Sequence, residues 1–200
     1  MVAGSDLGAA FTHRQYVFRR KFWKIFGGAF HVYDESGNLA FYSKQAAFKL
    51  REDFRVFADE GMQTELLRIK TPQVFDIRAT YNVLDSATNQ PVGSLKRKGL
   101  TSVVIDSWTF HGPEGKELGT LIEKSWVFAM LSRFIQFFPQ SYVIRAAGGQ
   151  EVAVNQQHFN PWILKYTMTL SEPTPSLDPR LLIASGILLA AIERRQAQMG

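Results

Sequence analysis

Acid–base or metal-assisted chemistry has few places to reside in this chain. Its four histidines, His13, His31, His111 and His158, are scattered and show neither H-x-x-x-H nor H-E-x-x-H spacing. His31 falls in a strand-like run and reads as a structural histidine rather than a base. The absence of cysteine removes thiolate nucleophiles, zinc–thiolate sites, disulfides and palmitoylation together. Adjacent acids at Asp34-Glu35, Glu52-Asp53 and Asp59-Glu60 sit in turn-like stretches, and adjacency alone does not place two carboxyls across a substrate. No P-loop, G-x-S-x-G or G-x-G-x-x-G occurs. The expectation is a protein without catalytic residues, metal or cofactor.

Anion recognition is better represented. Arg19, Arg20, Lys21 and Lys24 form one basic cluster, and Lys96, Arg97 and Lys98 form another. On a strand, Arg19 and Lys21 share one side while Arg20 takes the other, and Lys96 and Lys98 oppose Arg97 in the same way. Whichever set faces outward can meet phosphate oxygens, Arg by a bidentate contact and Lys as a point charge. Basic residues near an anionic surface contribute about 1 kcal/mol each, so three or four give weak, salt-sensitive attachment. The competing reading is a solvated strand face that aids solubility. The net charge of +5 belongs to residues 1–100, with 15 Lys/Arg against 10 Asp/Glu, because residues 101–200 carry 8 against 8. Nucleic acid is the rival polyanion, but no RRM stacking signature, zinc finger or basic helix accompanies the charge.

A third feature is Trp126 to Phe138, WVFAMLSRFIQFF. As a helix it gathers Ser132, Arg133 and Gln136 on one side, opposite a broad face of Trp126, Phe128, Leu131, Phe134, Ile135 and Phe138. Such a face can lie in a membrane interface, dock a protein partner, or pack over a barrel end as a plug.

The elements that must carry these residues are announced at the C-terminus. Asp178 suits an N-cap, Pro179 the first helical position, and Arg194-Arg195 the C-terminal end of the helix dipole. Between them lies LLIASGILLAAI, Leu181 to Ile192, a run with no polar face that must be surrounded on every side. At 1.5 Å per residue it spans about 18 Å, short of a hydrocarbon core of about 30 Å. A protein sheath is therefore favoured over a membrane span.

Strand signals supply the sheath. Alternation is cleanest at Ile163 to Leu170, and turn-forming runs such as Asp34 to Asn38, Asp85 to Pro91, His111 to Gly115 and Ala147 to Gln150 separate β-type segments. Twelve strands are expected, near 16–22, 28–34, 39–45, 53–58, 64–71, 76–85, 91–98, 105–110, 117–124, 141–147, 150–156 and 163–171. Twelve strands about 4.8 Å apart, tilted near 40°, close to a diameter of about 24 Å. Once inward side chains line that wall, a helix 10–12 Å across fills the lumen. A sandwich would fill its own core and leave the helix uncovered. The fold class is thus all-β, a closed antiparallel barrel of about twelve strands threaded by a C-terminal apolar helix. Residues 1–15 are expected to be a flexible segment, and 16–200 one barrel domain with its central helix at 179–197. The first residues show no basic region and apolar core of a signal peptide, so the expected location is cytoplasmic or peripheral to a membrane.

Specific stretches carry a resemblance. Val74 to Asp85 (VFDIRATYNVLD), Val92 to Gly99 (VGSLKRKG), Asp106-Ser107-Trp108, Gly119 to Glu123 (GTLIE) and the closing helix resemble the LURP-one-related proteins of the tubby C-terminal-like superfamily. That superfamily also includes tubby proteins and phospholipid scramblases. The resemblance implies the same twelve-stranded barrel and membrane-lipid work, since tubby domains bind phosphoinositide head groups through a basic surface and scramblases move phospholipids between leaflets. Palmitoylatable cysteines and a D-x-D-x-[DN]-G calcium loop are absent, a departure from the scramblase pattern. The implied function is non-enzymatic binding of anionic phospholipid or phosphoinositide head groups by Arg19, Arg20, Lys21, Lys24, Lys96, Arg97 and Lys98. The alternative is a protein-interaction scaffold using Trp126, Phe128, Leu131, Phe134 and Phe138. Anionic lipid or a protein is thus the expected partner, and nucleic acid is not.

Overall fold

The computed structural model of the chain describes residues 8–21, 29–45, 53–71, 80–98, 107–124, 140–158, 163–171 and 176–199, without the side chains of Lys21, Gln45 and 192–199. Among them are β1 (Gln15–Lys21), β2 (Ala29–Tyr33), β3 (Leu39–Gln45), β4 (Asp53–Phe57), β5 (Glu65–Lys70) and β6 (Thr80–Asp85). They continue as β7 (Pro91–Lys98), β8 (Ser107–His111), β9 (Glu117–Glu123), β10 (Ser141–Ala146), β11 (Glu151–His158) and β12 (Ile163–Leu170), before the helix α1 (Pro179–Met199). Every strand pairs antiparallel with its sequence neighbours, and β1 closes the ring on β12. The closed barrel expected from the sequence is the observed fold.

Alternation along each strand sends one set of side chains inward. Tyr16 and Phe18 of β1, Phe30 and Val32 of β2, and Leu164, Tyr166 and Met168 of β12 are all buried. The intervening Val17, Arg19, Lys165 and Thr167 are more exposed. Antiparallel closure leaves two unlike ends. Short turns at 34–38, 58–64, 86–90, 112–116 and 147–150 join strands at one end, and mostly longer connectors join them at the other. Each short-turn hairpin carries a register shift beside its turn, at Val32/Tyr33, Val56/Phe57, Val83/Leu84, Phe110/His111 and Ile144/Arg145. A bulge bends its strand and increases local twist, which helps curl the wall shut. Residues 8–14 also lie at this end, where the Phe11 ring rests 4.8 Å from that of Phe41.

The helix enters through the short-turn end. Leu181 to Ser185 and Ile187 to Ala191 are each at most 3% exposed, so the helix is enclosed all round over this stretch. Its start is capped as the sequence suggests: the Asp178 carboxylate accepts the Arg180 amide at 2.9 Å, and the Asp178 carbonyl accepts the Leu181 amide at 2.9 Å. Arg180 then ties the helix to the wall. Its guanidinium donates to Asp85 Oδ2 at 2.8 Å, at the end of β6, and to Asp178 Oδ2 at 2.6 Å. Burial alone would push the Asp85 carboxyl up, but the Thr88 amide and the Arg180 guanidinium outweigh it and hold it below the ordinary aspartate value. Within the helix, the one hydroxyl is satisfied, Ser185 donating to the Leu182 carbonyl at 2.7 Å.

Gly186 is small for a packing reason, because a Cβ there would land on the buried Phe18 ring. Alanine would add about 1 kcal/mol of helix propensity. Overpacking a fixed aromatic ring costs about 1–3 kcal/mol, so the clash wins. Gly186→Ala is therefore expected to lower stability, and Phe18→Leu in the same chain to cost less than it does alone, as read by a double-mutant cycle in urea. The Asp85 tether gives a pH signature. Its folded-state pKa is depressed, so its contribution is present above about pH 4 and fades as pH falls through the lowered value. Asp85→Asn is expected to cost about 1–2 kcal/mol near neutrality, with the gap to the parent protein narrowing below about pH 4.

Candidate functional site

With α1 filling the lumen, a ligand meets the chain on the wall or at an end. The strands divide the basic residues between the two sides of that wall. Arg19 is exposed and outward, its guanidinium 5.6 Å from the centre of the Tyr33 ring. Arg20 is 6% exposed and inward, 4.5 Å from the Phe30 ring. Arg97 likewise shares the inward side of Leu95 and lies 5.8 Å from the ring of buried Trp108, its cross-strand neighbour. Lys96 and Lys98 are exposed on the outer side. The barrel interior thus takes Arg20 and Arg97 out of the outward set, and aromatic faces hold their cations through the ring quadrupole.

Ring order separates the rest. β7 stands six places from β1 in either direction round the twelve-strand ring. Arg19 and the Lys96–Lys98 pair therefore project from opposite walls of a barrel about 24 Å across. The two basic clusters do not form one lateral patch. Lys21 closes β1, Lys24 lies outside the described residues, and so do Trp126, Phe128, Leu131, Phe134 and Phe138.

Closure instead gives Arg19 different neighbours. Lys165 of β12 lies directly opposite Arg19, His158 of β11 opposite Lys165, and His31 of β2 on the other flank of Arg19. All four occupy the outward side of their strands. Cross-strand Cβ atoms stand about 4.5–5.5 Å apart, and like charges so placed repel. Among the described residues neither Arg19 nor Lys165 has an acidic partner, whereas His31 Nε2 lies 2.9 Å from Glu60 Oε1. His31 is thus a partly buried strand residue with an ion-pair geometry. Burial and the Lys165 charge push His158 below the ordinary histidine value, so it is neutral near pH 7. The standing charge of the row rests on Arg19 and Lys165.

By contrast, the cross-strand cations Arg55 and Arg68 are compensated. Glu65 accepts from Arg68 Nε at 2.7 Å and lies 3.7 Å from Arg55. Elsewhere on the wall, Lys70, Asn82, Leu84, Pro91, Ser94 and Pro113 line part of a shallow groove of about 360 Å³. Among the described residues, no three His, Asp or Glu side chains converge to hold a metal ion. No helix among them is long and apolar enough to cross a membrane. The row was invisible as a cluster in sequence, since Arg19 and Lys165 are joined only by the pairing of the first and last strands. The outward parity of each was readable from the apolar residues that alternate with it.

The sequence model of the LURP-one-related family matches residues 39–190. The match covers most of the chain, which therefore belongs to that family and, through it, to the tubby-like C-terminal superfamily. No curated protein sequence matches the chain.

Proposed function

We propose that this LURP-one-related barrel binds anionic phospholipid head groups at a membrane surface and catalyses no reaction. The carrying observation is the outward pair Arg19 and Lys165, opposed across neighbouring strands with no acidic partner among the described residues. A phosphate placed there relieves their mutual repulsion and takes a bidentate contact from Arg19 with a point charge from Lys165. Exposed Lys96 and Lys98, on the opposite wall, add to the attraction toward a negative surface. Tubby-like kinship supports the reading, since tubby domains bind phosphoinositide head groups through basic surfaces. The filled lumen supports a surface function over turnover of a substrate inside the barrel.

Attachment of this kind is electrostatic and weak. Co-sedimentation with phosphatidylcholine vesicles is expected to appear only when phosphatidylserine or a phosphoinositide is included. It should decline steeply between about 0.01 M and 0.15 M salt as the Debye length shortens from about 30 to 8 Å. Arg19→Glu with Lys165→Glu is expected to weaken binding by more than tenfold while leaving the thermal melt within a few degrees. Equal retention on neutral and anionic vesicles, insensitive to salt, would contradict the proposal.

A further inference from the structure

The strands that run away from the short-turn end share a feature at their far ends. β1 closes with Lys21, β5 with Lys70 and β7 with Lys98, while Lys44 is the penultimate residue of β3 and Lys124 follows β9 directly. These are alternate strands of the ring, so lysines recur round most of one rim. Lys44, Lys70, Lys98 and Lys124 are exposed and make no ion pair among the described residues. Among the described residues, acids near this rim are few. Asp53 lies 3.8 Å from Arg55, and Glu123 takes the inward side of Leu121.

The opposite end has the reverse character. Glu35, Glu60, Glu114, Glu117 and Glu151 are exposed in or beside the short turns, with Asp59 partly so. The bases there are fewer, Arg14, Lys116, Arg145 and Arg180. Among the described residues, charge is therefore distributed along the barrel axis.

We infer that the lysine rim is the docking face, and that the barrel meets an anionic bilayer end-on with its axis along the membrane normal. The inference rests on the lipid-binding reading and specifies its geometry. A flat negative surface can contact lysines all round a rim about 24 Å across, whereas contact along one wall reaches only a few adjacent strands. Arg19 and Lys165 lie near the same rim, so they meet the same surface. The acidic end is held away by repulsion, and the axial asymmetry orients the molecule before contact. A bilayer fits better than a nucleic-acid duplex, since a ring of charge matches a plane and not the side of a cylinder.

The test compares variants with equal charge change. Lys70→Glu, Lys98→Glu and Lys124→Glu together alter the rim on the side away from Arg19 and Lys165. Arg14→Glu, Lys116→Glu and Arg145→Glu alter the opposite end by the same net charge. Binding to phosphatidylcholine vesicles with and without phosphatidylserine is measured at low salt, with a thermal melt of each variant. The expected result is a loss of at least tenfold for the rim variant and less than threefold for the other. Should the glutamate triple unfold, glutamine at the same three positions is expected to give a loss of at least threefold. Rim variants that bind like the parent protein, while Arg19→Glu with Lys165→Glu abolishes binding, would overturn end-on docking and leave lipid binding intact. A parent protein that ignores anionic vesicles, or shifts only nucleic acid, would overturn both.

Discussion

An apolar helix with no polar face sets the terms for the rest of this molecule. Leu181 to Ala191 must be shielded from water on every side, and only a wall that closes on itself can do that within one chain. The helix width fixes how large a lumen is useful, and strand number fixes how large a lumen exists. Twelve strands with inward Phe, Tyr, Leu and Val leave room for one helix, with Gly186 set directly against Phe18. Helix and wall therefore stabilise each other. Neither has a hydrophobic partner elsewhere in the described chain that could replace the other.

Filling the lumen decides where function can reside. The inner surface is committed to packing, and it is graded along the axis. Phe41, Val32, Met168 and Leu170 line the part near the short turns, while Arg20, Ser43 and Arg97 lie toward the far rim. The helix sequence is graded in step, apolar to Ile192 and polar from Glu193 onward. Inward arginines are accommodated there by aromatic faces, at Phe30 and Trp108. What remains for recognition is the outer wall and its ends, where uncompensated cations and solvated carboxylates are segregated.

Much of the fold was readable because its signals are local. The N-cap Asp178, the twelve β-type runs and the polar short turns each declare themselves within ten residues, and the geometric match of helix to lumen then selects the barrel. The site was less readable because it is made by closure. Nothing near Arg19 in sequence points to Lys165, and nothing near Lys96 says that it stands on the wall opposite β1. Ring order carries that information, and it follows only from the finished topology. The inward turn of Arg20 was within reach, since Tyr16 and Phe18 share its parity.

Native-state hydrogen exchange of the amides from Leu181 to Ala191 bears most directly on the claim that the wall sheathes the helix. A helix inside a closed barrel can reach solvent only when the barrel opens. These amides are therefore expected to exchange with the same free energy and the same steep urea dependence as the central residues of β1 and β12, the pair that closes the ring. Exchange at a lower free energy with little urea dependence, while the strands stay protected, would show a helix that leaves independently of the wall and would contradict the account.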